Sequence, residues 1–222
     1  MNNIYYLDVS SLNDPSLFNF HFNKADTKRQ NKINRLRFQK DKNLSLGSDI
    51  ILRYALNGLN IDLDTLKISY KENKKPYFEN ENIYFNLSHS NTKVMCAISN
   101  KEIGCDVEAI NNDKKDIIKI AKKYFTNNEY DFIISAQNED EQIKRFFRLW
   151  TLKESFIKNV GLGLLMPLNS FNIEFSNNKP VLHQSVNNNT YYLYELFLDK
   201  LYSYSFCSLS NEKPNIKQID IK

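Results

Sequence analysis

The sequence has few of the residues that form disulfide frameworks or zinc sites, with three cysteines and three histidines among 222 residues. Cys96, Cys105 and Cys207 are odd in number and far apart, which indicates a reducing compartment rather than a disulfide scaffold. None has a neighbour at the spacing of metal ligands, so we expect all three to be small apolar residues of the core. Histidine and cysteine are too scarce for a zinc site.

Long apolar segments are also absent. No run approaches the roughly 20 residues that a membrane-spanning helix needs. The opening residues MNNIYYLDVS have neither the basic start nor the apolar stretch of a signal peptide. The sequence shows no low-complexity linker and no internal period. We therefore expect a cytoplasmic protein that does not associate with membranes.

Charge is nearly balanced over the whole chain but is uneven along it. Thirty basic and 26 acidic residues give a net charge of +4. The segment 24–42 holds eight basic residues and two acidic ones, a local charge of +6, so the remainder carries −2. Such a concentration of positive charge indicates an acidic or phosphate-rich partner that meets one face of the protein.

The apolar pattern predicts helices and strands that are mixed along the chain. Alternation predicts strands in NIYYLDVS, IYFNLSHS, KVMCAIS and IGCDVE, and a hairpin in YYLYELFLDKLYSYSFCSL. Helical periodicity predicts a surface helix from about Asp26, then helices in LGSDIILRYALNGL, DKKDIIKIAKKYF and DEQIKRFFRLWTLKESFIKNV, the last ended by Gly161 and Gly163. Because these elements do not follow strict βαβ order, we predict the α+β class.

Three acids occupy positions where burial is costly. In IGCDVE, Asp106 and Glu108 are two residues apart, so both project from one face of the strand. Glu154 falls on the apolar stripe of the long helix, four residues after Trp150 and three before Ile157. Buried carboxylates need a cation. Mg²⁺ takes oxygen ligands from a few carboxylates, phosphates and waters, and we predict that it binds these three acids.

Each of these features also has a purely structural explanation. Glu154 and Lys158 are four residues apart and read equally as an exposed helical ion pair, worth roughly 0.3–0.5 kcal/mol. The segment IGCDVE reads equally as a solvated edge strand. Those explanations leave out the polar turn NLSHS, where His89 lies between Ser88 and Ser90 shortly before the acids. A histidine beside two hydroxyls and a basic helix is able to bind phosphate.

Four segments resemble the 4′-phosphopantetheinyl transferases in their order and spacing, namely KPYF (75–78), FNLSHS (85–90), IGCDVE (103–108) and LWTLKESFIK (149–158). Weaker similarities are YFTNNEY (124–130), the glycine pair after the helix, Pro167 and Phe171. The resemblance is to the longer, single-chain type that serves peptide and polyketide synthetases, and it covers roughly residues 24–171. The combination of GxDxE with WxxKE at this separation is specific, whereas KPY alone is weak.

The resemblance implies two similar α+β halves packed with pseudo-twofold symmetry, with the active site between them. We place these halves at residues 1–104 and 105–222. The implied reaction is Mg²⁺-dependent transfer of the 4′-phosphopantetheine arm of coenzyme A to a serine hydroxyl of an acyl or peptidyl carrier protein, with release of adenosine 3′,5′-bisphosphate. We expect a monomer that binds coenzyme A and carrier proteins but no nucleic acid.

By the same resemblance, individual residues take the family's roles. Glu154 would be the base for the serine hydroxyl and, with Asp106 and Glu108, a metal ligand. Lys158 would be the second catalytic residue and would neutralise charge on the pyrophosphate. The residues expected to bind coenzyme A are Arg29, Lys32, Ser45, Lys75, Ser88, His89, Lys153 and Lys158. Leu162 stands where the family often has a lysine, which removes one contact to phosphate or partner.

Two other functions compete with this interpretation. A metal-dependent nuclease also uses strand acids with a lysine, but that motif normally has a lysine two residues after the second acid, where this chain has Ile110. A nuclease would also spread its basic residues along a groove, whereas here they are concentrated in one segment. A non-catalytic module that binds carrier proteins or nucleic acid would not need Glu154 on an apolar stripe.

Overall fold

The computed structural model describes residues 1–110 and 114–222. The first part of the chain forms the elements β1 Asn2–Asp8, α1 Pro15–Lys24, α2 Thr27–Asn34, α3 Gln39–Asn57, β2 Ile68–Tyr70, β3 Pro76–Phe78, β4 Tyr84–Ser90 and β5 Lys93–Ser99. The second part forms β6 Ile103–Ala109, α4 Lys114–Tyr124, α5 Asn127–Ile134, α6 Glu139–Val160, β7 Asn172–Ser176, β8 Lys179–His183, β9 Tyr192–Leu196, β10 Tyr202–Ser208 and β11 Asn215–Ile219.

The order of elements repeats once along the chain. A strand, three helices, a short hairpin and two strands make up each half. The strand order β1-β5-β4 in one sheet corresponds to β6-β10-β9 in the other, and all these pairs are antiparallel. The helix α3 packs on β1 and β5 as α6 packs on β6 and β10. The predicted α+β class is confirmed, and the two halves are similar in topology although the sequence shows no repeat.

The division at residue 104 does not match the repeat. The change from one half to the other lies between the end of β5 at Ser99 and the start of β6 at Ile103, so residue 104 is already inside a strand. The last strand, β11, returns to the first sheet and pairs in parallel with β1, where Ile216 lies opposite Ile4. Residues 105–222 are therefore not a separate unit, and no local pattern shows this long-range pairing.

Capping residues set the helix boundaries. The Asp26 side chain accepts the backbone N–H of Arg29 at 2.8 Å, which starts α2 as predicted. Asn138 caps α6 in the same way, and Gly161 ends it with φ of +81°, a conformation that favours glycine. The basic segment 24–42 spans α2 and the start of α3 rather than one helix.

The two sheets meet along β4 and β6, where side chains replace backbone pairing. Asn86 Oδ1 accepts the N–H of Cys105 at 2.8 Å. Two serine hydroxyls continue the row, with Ser88 Oγ accepting from Val107 N–H at 3.3 Å and Ser90 Oγ accepting from Ala109 N–H at 3.0 Å. Every second residue of β4 thus fixes the register of the strand that carries the predicted metal ligands. The cysteines are free and buried, as expected.

The described helices include none that is both long and apolar enough to cross a bilayer.

Candidate active site

A cavity of about 330 Å³ lies where β4, β6 and α6 converge. It brings together the predicted acids and cations from both halves, and its lining includes Ser88, His89, Asp106, Glu108, Trp150, Glu154 and Lys158. The strand and the helix that carry the acids are held together by packing of α6 on β6 and β10. Residues that are remote in sequence therefore share one cleft between the halves.

Asp106 is the most buried acid of this cleft, with 2% of its surface exposed. Its Oδ1 accepts hydrogen bonds from Ser88 Oγ at 2.8 Å and from Lys158 Nζ at 2.6 Å. Its Oδ2 is buried and has no hydrogen-bond partner in the described part of the chain. Lys158 is thus the cation beside the strand acids in this structure, and one oxygen of Asp106 remains free for another ligand.

Glu108 and Glu154 line the same cavity as Asp106. Ser90 Oγ donates to Glu108 Oε2 at 2.8 Å. Burial and the charge of Asp106 raise the pKa of both glutamates above its ordinary value. Burial opposes the charge of Lys158, but Asp106 and Glu154 outweigh it and raise the pKa of that lysine. The cavity thus has three carboxylates and one ammonium group among its lining residues. This excess of negative charge favours the binding of a further cation.

The carboxylate oxygens of this cavity are of the donor type that Mg²⁺ binds. Among the described residues, no three His, Cys, Asp or Glu side chains already converge into a ready-made metal site. Mg²⁺ needs no such closed site, because it commonly takes one or two protein carboxylates and completes its shell with phosphates and waters. The unpaired Oδ2 of Asp106 is a hard oxygen donor of this kind. The three-acid ligand set stays a prediction.

A second cavity of about 450 Å³ is bounded by α2, α3 and strands β2–β4. Three predicted coenzyme A-binding residues, Arg29, Lys32 and Ser45, line it. The Ser45 hydroxyl is buried and has no hydrogen-bond partner in the described chain. Burial, then the charge of Arg29, lowers the pKa of Lys32. In this cavity, which we call the cationic cavity, Arg29 and Lys32 outnumber Asp41 among the lining residues, and with the unpaired hydroxyl they suit an anion.

His89 connects the two cavities, since its side chain lines both. His89 is exposed to solvent. Partial desolvation in the cleft, followed by the charges of Lys158 and Lys32, lowers the pKa of His89. The cationic cavity and the acid cluster are therefore neighbours, and Leu87 and His89 line both of them.

The structure places the side chain of Lys75 outside this cleft. Its Nζ donates to the carboxylate of Glu102 and, at 2.7 Å, to the carbonyl of Asn159 at the end of α6. Lys75 is buried, and it is the neighbouring Pro76 that lines the cationic cavity. The expected contact between the Lys75 ammonium and coenzyme A is therefore not formed by this arrangement. The lysine instead joins the β2–β3 hairpin to the second half.

Lys153 is also outside the cleft, although it precedes Glu154. It is fully buried and forms an ion pair with Glu129 at 2.7 Å. Its Nζ also donates to the carbonyls of Leu168 and Phe171 at 2.8 and 3.0 Å. Burial lowers the pKa of Lys153 to about 8 against the opposing charge of Glu129. Because its ammonium is used inside the second half, the structure gives no support to the predicted contact of Lys153 with coenzyme A.

We expect Lys153→Met to lower the free energy of unfolding by about 3 kcal/mol, because it leaves the Glu129 carboxylate buried without its cation. The KM for coenzyme A should stay within about twofold of the original value. Urea unfolding and steady-state kinetics measure the two effects. Lys144→Met, at an exposed position of the same helix, is the control and should change stability by less than about 0.5 kcal/mol. A stable Lys153 variant with a strongly raised KM would restore the ligand role.

The roles of Asn86 and Ser90 in the site were not predicted from the sequence. Asn86 and Ser90 hold β6 in register, and their signal was the alternation of polar residues with Ser88 along β4. The stripe assigned to α6 was also inaccurate, because Trp150 is only half-buried. Trp150 stacks on Phe146 of the core and also lines the cleft, as Glu154 does.

Comparison with known proteins identifies both halves. Residues 14–101 match the family described as 4′-phosphopantetheinyl transferase, N-terminal, and residues 102–207 match the 4′-phosphopantetheinyl transferase superfamily. Together the matches cover nearly the whole described fold, including the cationic cavity in the first half and the acid cluster in the second.

Individual relatives give the same result. The 4′-phosphopantetheinyl transferase gsp of Aneurinibacillus migulanus is 35% identical over 213 residues, which is 95% of this chain and 87% of that protein. The transferase Sfp of Bacillus subtilis (strain 168) is 34% identical over 65% of this chain and 64% of its own length. HetI of Nostoc sp. is 33% identical over 60% of this chain and 58% of its own. The chain belongs to the 4′-phosphopantetheinyl transferase superfamily.

Proposed function

We propose that this enzyme transfers the 4′-phosphopantetheine arm of coenzyme A to a serine hydroxyl of an acyl or peptidyl carrier protein in the presence of Mg²⁺. The observation that carries the proposal is the position of a cationic cavity next to the acid cluster, with His89 lining both. Arg29 and Lys32 line the first cavity, and the acids of β6 and α6 line the second. Coenzyme A has a phosphorylated nucleotide at one end of its pyrophosphate and the pantetheine arm at the other, so it matches this distribution of charge.

The reaction needs one bond formed and one broken at the β-phosphate. The serine oxygen bonds to that phosphorus, the bond to the oxygen bridging the two phosphates breaks, and adenosine 3′,5′-bisphosphate leaves with the electron pair. Phosphoryl transfer of this kind depends mainly on positioning and on stabilisation of charge. This agrees with a site that has no free cysteine or nucleophilic triad among its described lining residues.

Glu154 takes the serine proton in this proposal, directly or through a water. Its raised pKa suits a base, because a carboxylate held in a desolvated acid cluster binds protons more strongly than a free one. Lys158 lines the cavity beside it and neutralises charge on the pyrophosphate, while His89, whose lowered pKa favours the neutral ring, donates a hydrogen bond to a phosphate oxygen. Ser88 contributes mainly by holding Asp106 and Lys158 through its hydroxyl.

Magnesium, held by Asp106 with Glu108 and Glu154, would supply positive charge next to the phosphates. Its place in the proposal rests on the unpaired Oδ2 of Asp106 and on the excess of carboxylates over ammonium groups in the cavity. The cytoplasmic location and the monomeric state stay predictions.

Labelling of apo carrier proteins tests the proposal. We expect purified enzyme with coenzyme A and Mg²⁺ to add phosphopantetheine to an apo carrier, seen as a mass increase on the carrier's serine by mass spectrometry. Addition of EDTA in excess over the metal should stop the labelling, and further Mg²⁺ should restore it. An apo carrier with its serine changed to alanine is the control. Failure to label several unrelated apo carriers would contradict the assignment, and cleavage of nucleic acid by the same preparation would favour the nuclease.

A further inference from the structure

Asp49 is a buried carboxylate that the acid cluster does not use. It lies within α3 with 2% of its surface exposed. Its Oδ2 accepts a hydrogen bond from Arg53 Nε at 2.7 Å, and its Oδ1 forms an ion pair with Arg29 Nε at 3.3 Å. A buried carboxylate persists only when cations compensate it. Two arginines converge on this one, although a single ion pair would neutralise its charge.

The two arginines differ in their other partners. Arg53 also pairs with Asp64 at 2.8 Å and lies 3.8 Å from Asp26, so it is held from several sides. In the described part of the chain, Asp49 is the only ionic or hydrogen-bond partner of the Arg29 side chain. Arg29 nevertheless lines the cationic cavity. A guanidinium has five N–H donors in one rigid plane, so contact through Nε leaves both terminal amino groups for a ligand.

We propose that Asp49 is a positioning residue that turns the guanidinium of Arg29 toward the 3′-phosphate of coenzyme A, and so sets the preference of the enzyme for the 3′-phosphorylated nucleotide. The inference rests on the proposed function, which supplies the ligand. Ser45 lines the same cavity, and its buried hydroxyl has no hydrogen-bond partner among the described residues. It is therefore a second group that is able to bind the phosphate.

Electrostatics explain why Arg29 needs such support. Lys32 lies close enough for the charge of Arg29 to lower its pKa, so the two cations repel each other. Without Asp49, this repulsion favours movement of the Arg29 side chain out of the cavity into solvent. Asp49 holds the guanidinium in place before the ligand binds, and the enzyme then loses less side-chain entropy when the phosphate arrives.

The variant Asp49→Asn tests the proposal with coenzyme A and 3′-dephospho-coenzyme A as alternative donors for the same apo carrier. We expect the KM for coenzyme A to rise about tenfold. The kcat with either donor, and the KM for the dephospho form, should stay within about twofold of the values for the unmodified enzyme. Asp64→Asn is the matched control, since Asp64 is an exposed partner of Arg53 alone and does not contact Arg29. It should leave both KM values unchanged.

A double-variant cycle separates positioning from a general structural effect. In an Arg29→Gln background, Asp49→Asn should cause no further rise in the KM for coenzyme A. The proposal is overturned if Asp49→Asn leaves the ratio of the two KM values unchanged. It is also overturned if Asp49→Asn raises the KM for coenzyme A as much in the Arg29→Gln background as in the unmodified enzyme. Should circular dichroism show that Asp49→Asn does not fold, Asp49→Asn with Arg53→Gln removes the buried charges together and is measured in the same way. Failure of the proposed function is distinct, because the unmodified enzyme would then label no carrier.

Discussion

Glu154→Gln is expected to lower kcat by at least about a thousandfold while the affinity for coenzyme A changes by less than about threefold. A thousandfold loss corresponds to about 4 kcal/mol of transition-state stabilisation, within the range that a general base supplies together with charge stabilisation. The amide keeps the size of the side chain but neither accepts the serine proton nor offsets a cation. The cationic cavity, which Glu154 does not line, should still bind the nucleotide.

Two measurements check this result. Labelling kinetics with a saturating apo carrier give kcat, and isothermal titration calorimetry gives the dissociation constant of coenzyme A in the presence of Mg²⁺. Glu141→Gln is the matched control, because Glu141 lies in the first turn of the same helix and pairs with Arg145 at the surface. Its kcat should remain normal. A Glu154 variant with near-normal turnover would refute its role as base.

Gly104→Ala is expected to lower the free energy of unfolding by more than about 4 kcal/mol, an exceptional loss for one methyl group. A Cβ at this position would overlap the carbonyl oxygen of Ser155 and the amide nitrogen of Asn159, and would lie 2.9 Å from the carbonyl carbon of Lys158. All three are backbone atoms of α6, so no side chain is able to move aside. The glycine of IGCDVE is therefore required by the close approach of helix and strand.

The same contact links stability to the active site. Displacement of α6 from β6 would also carry Lys158 away from Asp106, which it contacts at 2.6 Å. We expect any Gly104→Ala protein that folds to lose labelling activity as well. Gly58→Ala is the control, since its Cβ would meet its nearest neighbour at 3.4 Å and its φ of −64° suits alanine. Urea unfolding of both variants measures the difference, and equal stability would mean that the helix and strand tolerate separation.

Local signals in the sequence were sufficient for the elements and for some of the site. Alternation located β4, β5 and β6, and the caps at Asp26 and Gly161 lie where the sequence indicated. The three acids were found because a carboxylate in an apolar pattern requires a partner. These are short-range properties, set by the 2-residue period of a strand, the 3.6-residue turn of a helix and the capping groups at helix ends.

The lysines of α6 show which part of the site a local pattern does not determine. Lys153 and Lys158 belong to one motif and were both assigned to coenzyme A, but five residues turn an α-helix by about 140° beyond a full turn. Glu154 and Lys158, four residues apart, share the face toward the cleft, while Lys153 points to Glu129 in the core. A helical projection of the sequence separates these two faces. It does not identify Glu129 as the partner of Lys153, because only the folded structure brings these residues together.

The sequence by itself determined the α+β class, the order of elements and the chemical character of the cleft, because each of these follows from residue type and local period. Only the tertiary structure decided which cations enter the cleft. It turned Lys75 and Lys153 into internal ion pairs, placed Lys158 on Asp106 and set Arg29 against the buried Asp49. The physical reason is that a charged side chain pairs with whatever the fold brings within reach, and those partners are remote in sequence.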